Sequence, residues 1–285
     1  PQHKDIHLRD PFVLPCNGVY YLYGSRGATA WGMGGGLDVY RGVDLENWEG
    51  LFSVFGMTVF LGRIGLLGPE VQGWRGRFYM FASFKNAYVH RGTAVLAAGT
   101  PMGPFEPWSD GCVTPGEWEC LDGAFYVSRD GRPYMAFCHE WVQAGNGEVL
   151  AAPLSEDLKK TVGAPSFCLL QRMRSGALSK RTKPGKGYAT DGPFLWRTGE
   201  GRLKGLWAGF SGNGYTEGIA ISENGEIDGR FRQLPPPFDR DGGHATVFNA
   251  FDGRIMMTLH SPSIHPLERP RFVELREKDG YLCRA

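Results

Sequence analysis

The chain has almost no net charge: 31 Lys and Arg face 30 Asp and Glu, a formal +1 over 285 residues. A domain that grips a polyanion needs a basic excess, so nucleic acid is not expected as a partner. No apolar run approaches the ~18 residues of a membrane-spanning helix, and no membrane association is expected. The six cysteines, Cys16, Cys112, Cys120, Cys138, Cys168 and Cys283, include no CxxC pair, which argues against a thiolate metal cluster. Scattered cysteines read as free thiols of a reducing compartment. With no signal peptide in the sequence, they favour a cytoplasmic over a secreted location. Pro1 stands where an initiator Met would, which fits removal of a leader or tag. Helical periodicity is missing as well; no segment keeps a 3.6-residue pattern for more than a turn or two.

Glycine, proline and aromatics are abundant instead: 42 Gly, 19 Pro, 18 Phe, 11 Tyr and 8 Trp. Without collagen periodicity, that composition suits many short strands and tight turns. A turn-plus-strand phrase recurs: NGVYYLYGS at 17–25, RGRFYMFAS at 75–83, DGRPYMAFC at 130–138, EGRLKGLWAGFS at 200–211 and DGRIMMTLHS at 252–261. Each opens on a glycine-bearing turn and runs into an apolar, aromatic-rich strand. A further strand follows each phrase, among them GTAVLAAGT and EGIAISE, and a short segment such as DPFVLP or DGAFYVS precedes it. Stretches behind Asp-Leu turns, as in VDLENWE and SEDLKK, supply a fourth strand. Units of this kind predict an all-β chain, a single-domain five-bladed β-propeller over residues 1–285. A two-sheet sandwich has no need of such regular recurrence.

One polar residue heads the first segment of each unit: Asp10, Glu70, Asp122, Asp191 and His244, at intervals of 60, 52, 69 and 53 residues. The innermost strands of a propeller flank its axis, so residues in phase ring that axis at one depth. Asp-Pro and Asp-Gly are also ordinary turn formers, which is the plain alternative for any one of them. Turn chemistry does not call for an acid in four units of five, whereas paired carboxylates in a cleft are the apparatus of glycosidic bond cleavage.

These segments together resemble glycoside hydrolase family 43, five-bladed propellers that cleave arabinofuranosides, xylosides and some galactosides with inversion. The resemblance runs over nearly the whole chain. It rests on RDPFV at 9–13, GLDVYRGVDLENWE at 36–49, GPEV at 68–71, LDGAFYVS at 121–128, GGHATVF at 242–248 and ERPRF at 268–272. It implies that Asp10 is the general base and that Asp122 tunes the acid. The fourth-unit acid of the family is Glu in Glu-Gly-Pro; this chain has Asp191 in TDGP, shorter by one carbon–carbon bond of ~1.5 Å. Either Asp191 is carried further inward, or another acid acts; Glu140 in CHEWVQ is the best substitute and Glu119 in WEC a weaker one. The resemblance further implies substrate contacts from Glu70 and Arg269, and an ion or water held near His244. One histidine cannot build a zinc site, so a hydrated calcium ion is the better fit; no cofactor is required. Trp31, Trp74, Trp118 and Trp141 are candidate stacking faces for sugar rings, Trp141 foremost because it follows Glu140.

The expected activity is inverting, exo-acting hydrolysis of α-L-arabinofuranosides or β-D-xylosides of plant-derived oligosaccharides, because the chain shows no appended binding module. Two rivals are a carbohydrate-binding propeller that has lost its acid and a retaining fructosidase resembling glycoside hydrolase family 32. RDP and WEC echo the latter, but its Asn-Asp-Pro motif and C-terminal sandwich are missing, and RDP sits in the wrong unit.

Overall fold

The computed structural model describes residues 1–26, 37–55, 64–170 and 187–285. Among them lie five four-stranded antiparallel sheets, each built from consecutive strands of the chain. The first strand of each sheet is innermost: Arg9–Cys16, Ile64–Trp74, Cys120–Val127, Asp191–Arg197 and Gly243–Asn249. These five contact one another in a ring, the last against the first. This is the five-bladed propeller expected from the repeat. Helix is confined to a 3-10 turn at His3–Asp5 and a single turn at Trp141–Ala144 among the described residues. The stretches behind the Asp-Leu turns do form outer strands, Glu49–Phe55 and Ser166–Leu170.

The core lies between blades. Phe81 of blade 2 stacks on Phe125 of blade 3 at 5.5 Å, with Phe137 beside them. Trp207, Leu195 and Tyr126 fill the seam between blades 3 and 4. Because blades are covered on both faces, strands such as GTAVLAA at 92–98 are buried throughout rather than at alternate residues, as for any sheet packed on both sides. Blade 5 meets blade 1 through side chains: Tyr20 packs on Phe248 and its hydroxyl accepts the N–H of Phe251 at 2.9 Å.

One irregularity repeats in all five blades. Along the inner strand the pairing register jumps by three residues while the second strand advances two: Arg9 to Phe12, Leu67 to Glu70, Leu121 to Ala124, Asp191 to Phe194 and Gly243 to Thr246. Each is a β-bulge with one extra residue. The second bulge residue is left-handed every time: Asp10 (φ 52°), Gly68 (55°), Asp122 (58°), Gly192 (51°) and His244 (58°). Residues with φ above zero are glycine or, several-fold enriched among the rest, Asn, Asp and His. The bulge therefore selects these residue types and turns their side chains or backbone toward the axis.

Candidate active site

This register corrects the phase read from the sequence. The structurally equivalent set is Asp10, Gly68, Asp122, Gly192 and His244. Glu70 lies two residues past its bulge position and Asp191 one before it. Glu70 lines the axial channel, where its Oε1 accepts the N–H of Phe125 at 2.9 Å and the amide of Gln72 at 3.2 Å. Burial pushes its carboxyl up to about 8 against those two donors, so it is a neutral tie between blades 2 and 3 at neutral pH. The channel itself holds only about 20 Å³, roughly the space of one water.

Asp10, Asp122 and His244 do converge. His244 Nδ1 stands 3.1 Å from Asp10 Oδ1 and 3.9 Å from Asp122 Oδ2. The Ser25 hydroxyl donates to Asp10 Oδ2 at 2.6 Å, and Asp10 N–H donates to His260 Nδ1 at 3.2 Å. Burial lifts the Asp10 pKa, but the charges of His244 and Arg9 and the Ser25 hydrogen bond more than offset it, leaving the carboxyl at about 2. Arg9 is itself anchored by the buried Glu268 at 2.8 Å. Burial drives His260 down to about 3, which fits a neutral ring that accepts at Nδ1.

Asp191 has the opposite environment. Its Oδ2 accepts the Tyr215 hydroxyl at 3.0 Å, and the next residue's N–H, that of Gly192, donates to Asp122 Oδ2 at 2.9 Å. Burial first, and the neighbouring Asp122 second, push Asp191 up to about 6, with His244 and Tyr215 pulling the other way. Asp122 also rises to about 6, by burial against the pull of His244 and with a push from Asp10. The two carboxyls thus titrate as a coupled pair. Opposed demands meet on His244: burial lowers its pKa, but Asp10, Asp122 and Asp191 raise it further. Gly192 makes this arrangement sterically feasible, since a Cβ there would lie 2.7 Å from His244 Cγ.

The remaining candidates divide. Glu140 is buried at the start of the short helix and pairs with Arg91 at 3.2 Å. Burial raises its pKa, Arg91 opposes, and Asp191 raises it again, so it belongs to the same electrostatic neighbourhood. Glu119 is held as an anion at about 2, because Lys85, His90 and the Arg91 N–H overcome its burial. Trp141 is half-buried beside Glu140, and Trp118 stacks on His139 at 4.6 Å. Trp74 is not at the site: it ends its inner strand at the opposite hairpin, six residues past Gly68 or roughly 20 Å at strand rise, and packs edge-on against Phe125. Trp31 lies outside the described residues. Arg269 is also corrected. Its guanidinium donates to the carbonyls of Lys4, Pro266 and Glu268 and contacts His7, clamping the N-terminal segment to blade 5 rather than facing the axis. Among the described residues no group of three or more His, Cys, Asp or Glu is placed to hold a metal ion. His244 Nδ1 faces the Asp10 carboxylate, the arrangement usual for a histidine whose other ring nitrogen ligates a metal.

Sequence reasoning missed Tyr215, Glu217 and His260. His260 is the penultimate residue of its phrase, and its equivalence to Ser25, Ser83, Cys138 and Ala208 emerges only from the strand pairing. Tyr215 and Glu217, two apart in GYTEG, face one side of a third strand, and nothing in that phrase marks them.

Comparisons with known proteins bear on the family and the fold. The family model for glycosyl hydrolases family 43 matches residues 5–276. The solved endo-arabinase from Bacteroides thetaiotaomicron is 35% identical, with 98% of each chain covered and a TM-score of 0.90. An endo-1,4-beta-xylanase from the same organism is 21% identical, covering 100% of this chain and 96% of that one at a TM-score of 0.82. A GH43 beta-1,3-galactosidase is 17% identical, covering 98% and 94% at 0.73; the last two speak to fold alone. No curated protein sequence matches. With the family model matching nearly the whole chain and the inner-strand aspartates gathered on one axis, the chain belongs to glycoside hydrolase family 43 and is a glycoside hydrolase.

Proposed function

We propose that the chain hydrolyses α-L-arabinofuranosidic linkages with inversion, releasing terminal units, with β-D-xylosides as second-best substrates. One observation carries the mechanism: two aspartates on non-adjacent blades share an axis, one held ionised at about 2 and the other held protonatable at about 6. That is the division of labour an inverting glycosidase needs, a base for water and an acid for the leaving oxygen. Asp10 takes the proton of the attacking water, its free lone pairs oriented by Ser25 and His244. Asp191 gives its proton to the departing oxygen while Tyr215 fixes the carboxyl by one oxygen. Asp122 keeps that proton in place by adding a second negative charge beside it.

Arabinose is favoured because the 35%-identical solved structure is that of an endo-arabinase. Release of terminal units is carried over from the sequence reading, and the narrow axial channel accommodates terminal and internal cleavage alike. A screen of aryl α-L-arabinofuranoside, β-D-xyloside and β-D-galactofuranoside tests the sugar, and NMR of the first-formed anomer tests inversion. Product length from linear arabinan separates exo from endo cleavage. Retention, or turnover of the galactofuranoside alone, overturns the reading.

A further inference from the structure

Three of the five bulges are pinned by a side chain at one place in the preceding blade, and the pattern breaks at two seams; at the first, where that place is Cys138, the Gly192 N–H goes to Asp122 Oδ2 instead. His260 accepts the N–H of Asp10 at 3.2 Å, Ser25 that of Gly68 at 2.8 Å, and Ser83 that of Asp122 at 2.8 Å. Each of these acceptors sits opposite the first bulge residue of its own blade, Gly243, Arg9 and Leu67 respectively. The same place in blade 4 is Ala208, opposite Asp191, and a methyl group accepts nothing. The neighbouring strand supplies what is missing. Glu217 is the cross-strand partner of Ala208 and is 0% exposed. Its Oε2 accepts the N–H of Ala245, the residue after His244, at 3.0 Å, and its Oε1 has no hydrogen-bond partner.

We propose that Glu217 is a positioning residue for His244, replacing the strut that Ala208 cannot supply and so holding the imidazole against Asp10. The proposal rests on the glycosidase reading and adds to it a residue that lies off the inner strands. What the seam requires is an acceptor rather than a charge: between blades 2 and 3, Thr93, the cross-strand partner of Ser83, does the corresponding job with a hydroxyl, accepting the Gly123 N–H at 3.0 Å. A fully buried carboxylate with an unpartnered oxygen is costly as an anion. Burial accordingly lifts the Glu217 pKa well above the usual carboxylate range, despite the two backbone N–H groups that favour its anion. Asp10 is faced by His244 and His260 from blade 5, by Arg9 and Ser25 from its own blade, and by Asp122, Asp191 and Tyr215 across the axis. Glu217 is not one of these; it acts through the backbone beside His244.

The test combines pH profiles of kcat/KM on an activated aryl arabinofuranoside with an NMR titration of the His244 imidazole. E217Q keeps the acceptor and the neutral charge; it should stay within about threefold of wild type, with the His244 titration unmoved. E217A should lose about 10–100-fold in kcat, the scale of a misplacement near 1 Å, with KM little changed. Its His244 should titrate lower and its acid limb should lie higher, because Asp10 loses its cationic neighbour. If E217A does not fold, the A208S/E217A pair restores a hydroxyl at the strut position and should return the His244 titration to its wild-type value. A His244 titration that does not move in E217A, one that stays shifted in the pair, or an E217Q as impaired as E217A overturns the proposal. A wild type that cleaves no glycoside would sink the glycosidase reading instead, and the NMR titration would still decide the role of Glu217.

Discussion

Two seams of one ring treat the same side chain in opposite ways. Where blade 5 meets blade 1, Asp10 is surrounded by His244, Arg9 and a serine hydroxyl and falls to about 2. Where blade 3 meets blade 4, Asp191 has Asp122 as its strongest neighbour after burial and rises to about 6. Burial is common to both, so the difference comes from which charges each seam supplies. The bulge brings a carboxyl to the axis; the charges and donors around it decide whether it is held ionised or protonatable.

The sharpest way to break this contrast is Asp10→Asn, which keeps the shape but removes the proton acceptor. Turnover should drop by the ~10²–10⁴-fold of general base catalysis, with circular dichroism and Tm close to wild type. A variant that keeps more than about a tenth of activity would show that Asp10 is not the base. Asp191→Ala addresses the other seam. Its loss should reach ~10²–10⁴-fold on natural oligosaccharides and be slight on dinitrophenyl glycosides, whose leaving group barely needs protonation. If Glu140→Ala shows that leaving-group dependence instead, the acid is on blade 3 and Arg91 is its modulator. Gly192→Ala merges the seams sterically: the new methyl would meet the His244 ring and the left-handed backbone would cost ~1–2 kcal/mol. About tenfold or more in kcat should be lost, with Tm lowered in a thermal melt. The mildest change is Tyr215→Phe. The Tyr215 hydroxyl favours the Asp191 anion, so its removal raises the Asp191 pKa. The basic limb of the kcat/KM profile, which lies near 6 in the wild type if Asp191 is the acid, should move to higher pH while the acid limb stays.

Blade number and order were legible in the sequence because each blade is one contiguous stretch with its own turn phrase. Asp10, Asp122 and His244 were legible too, since the bulge repeats at the spacing of the blades. Glu70 and Asp191 were misphased because counting polar residues ignores the bulge: Gly68 and Gly192 occupy the left-handed position in those blades, and a glycine carries no polar mark. Arg269 looked like a ligand for sugar hydroxyls because Arg-Pro resembles a family ending, but its bonds to Lys4 and His7 join segments more than 260 residues apart. Trp74 illustrates the same limit, since a Trp two residues before a hairpin glycine reads alike at either end of a blade. Tyr215 and Glu217 act across a seam, and their roles follow from blade packing, to which a local phrase is blind.

The hydrogen bond from Asp10 to His260 spans 250 residues, and it has a consequence for biosynthesis. Four blades can emerge from the ribosome and pack in order, each against its predecessor, while the residue at the head of the first strand still lacks its eventual surroundings. Asp10 acquires His244 and His260 only when the fifth blade docks, so no chain that ends before that blade carries a finished site. Non-local closure of this kind is slow relative to local pairing. Activity should therefore appear after the bulk of the β-structure during refolding, as a late step with its own rate.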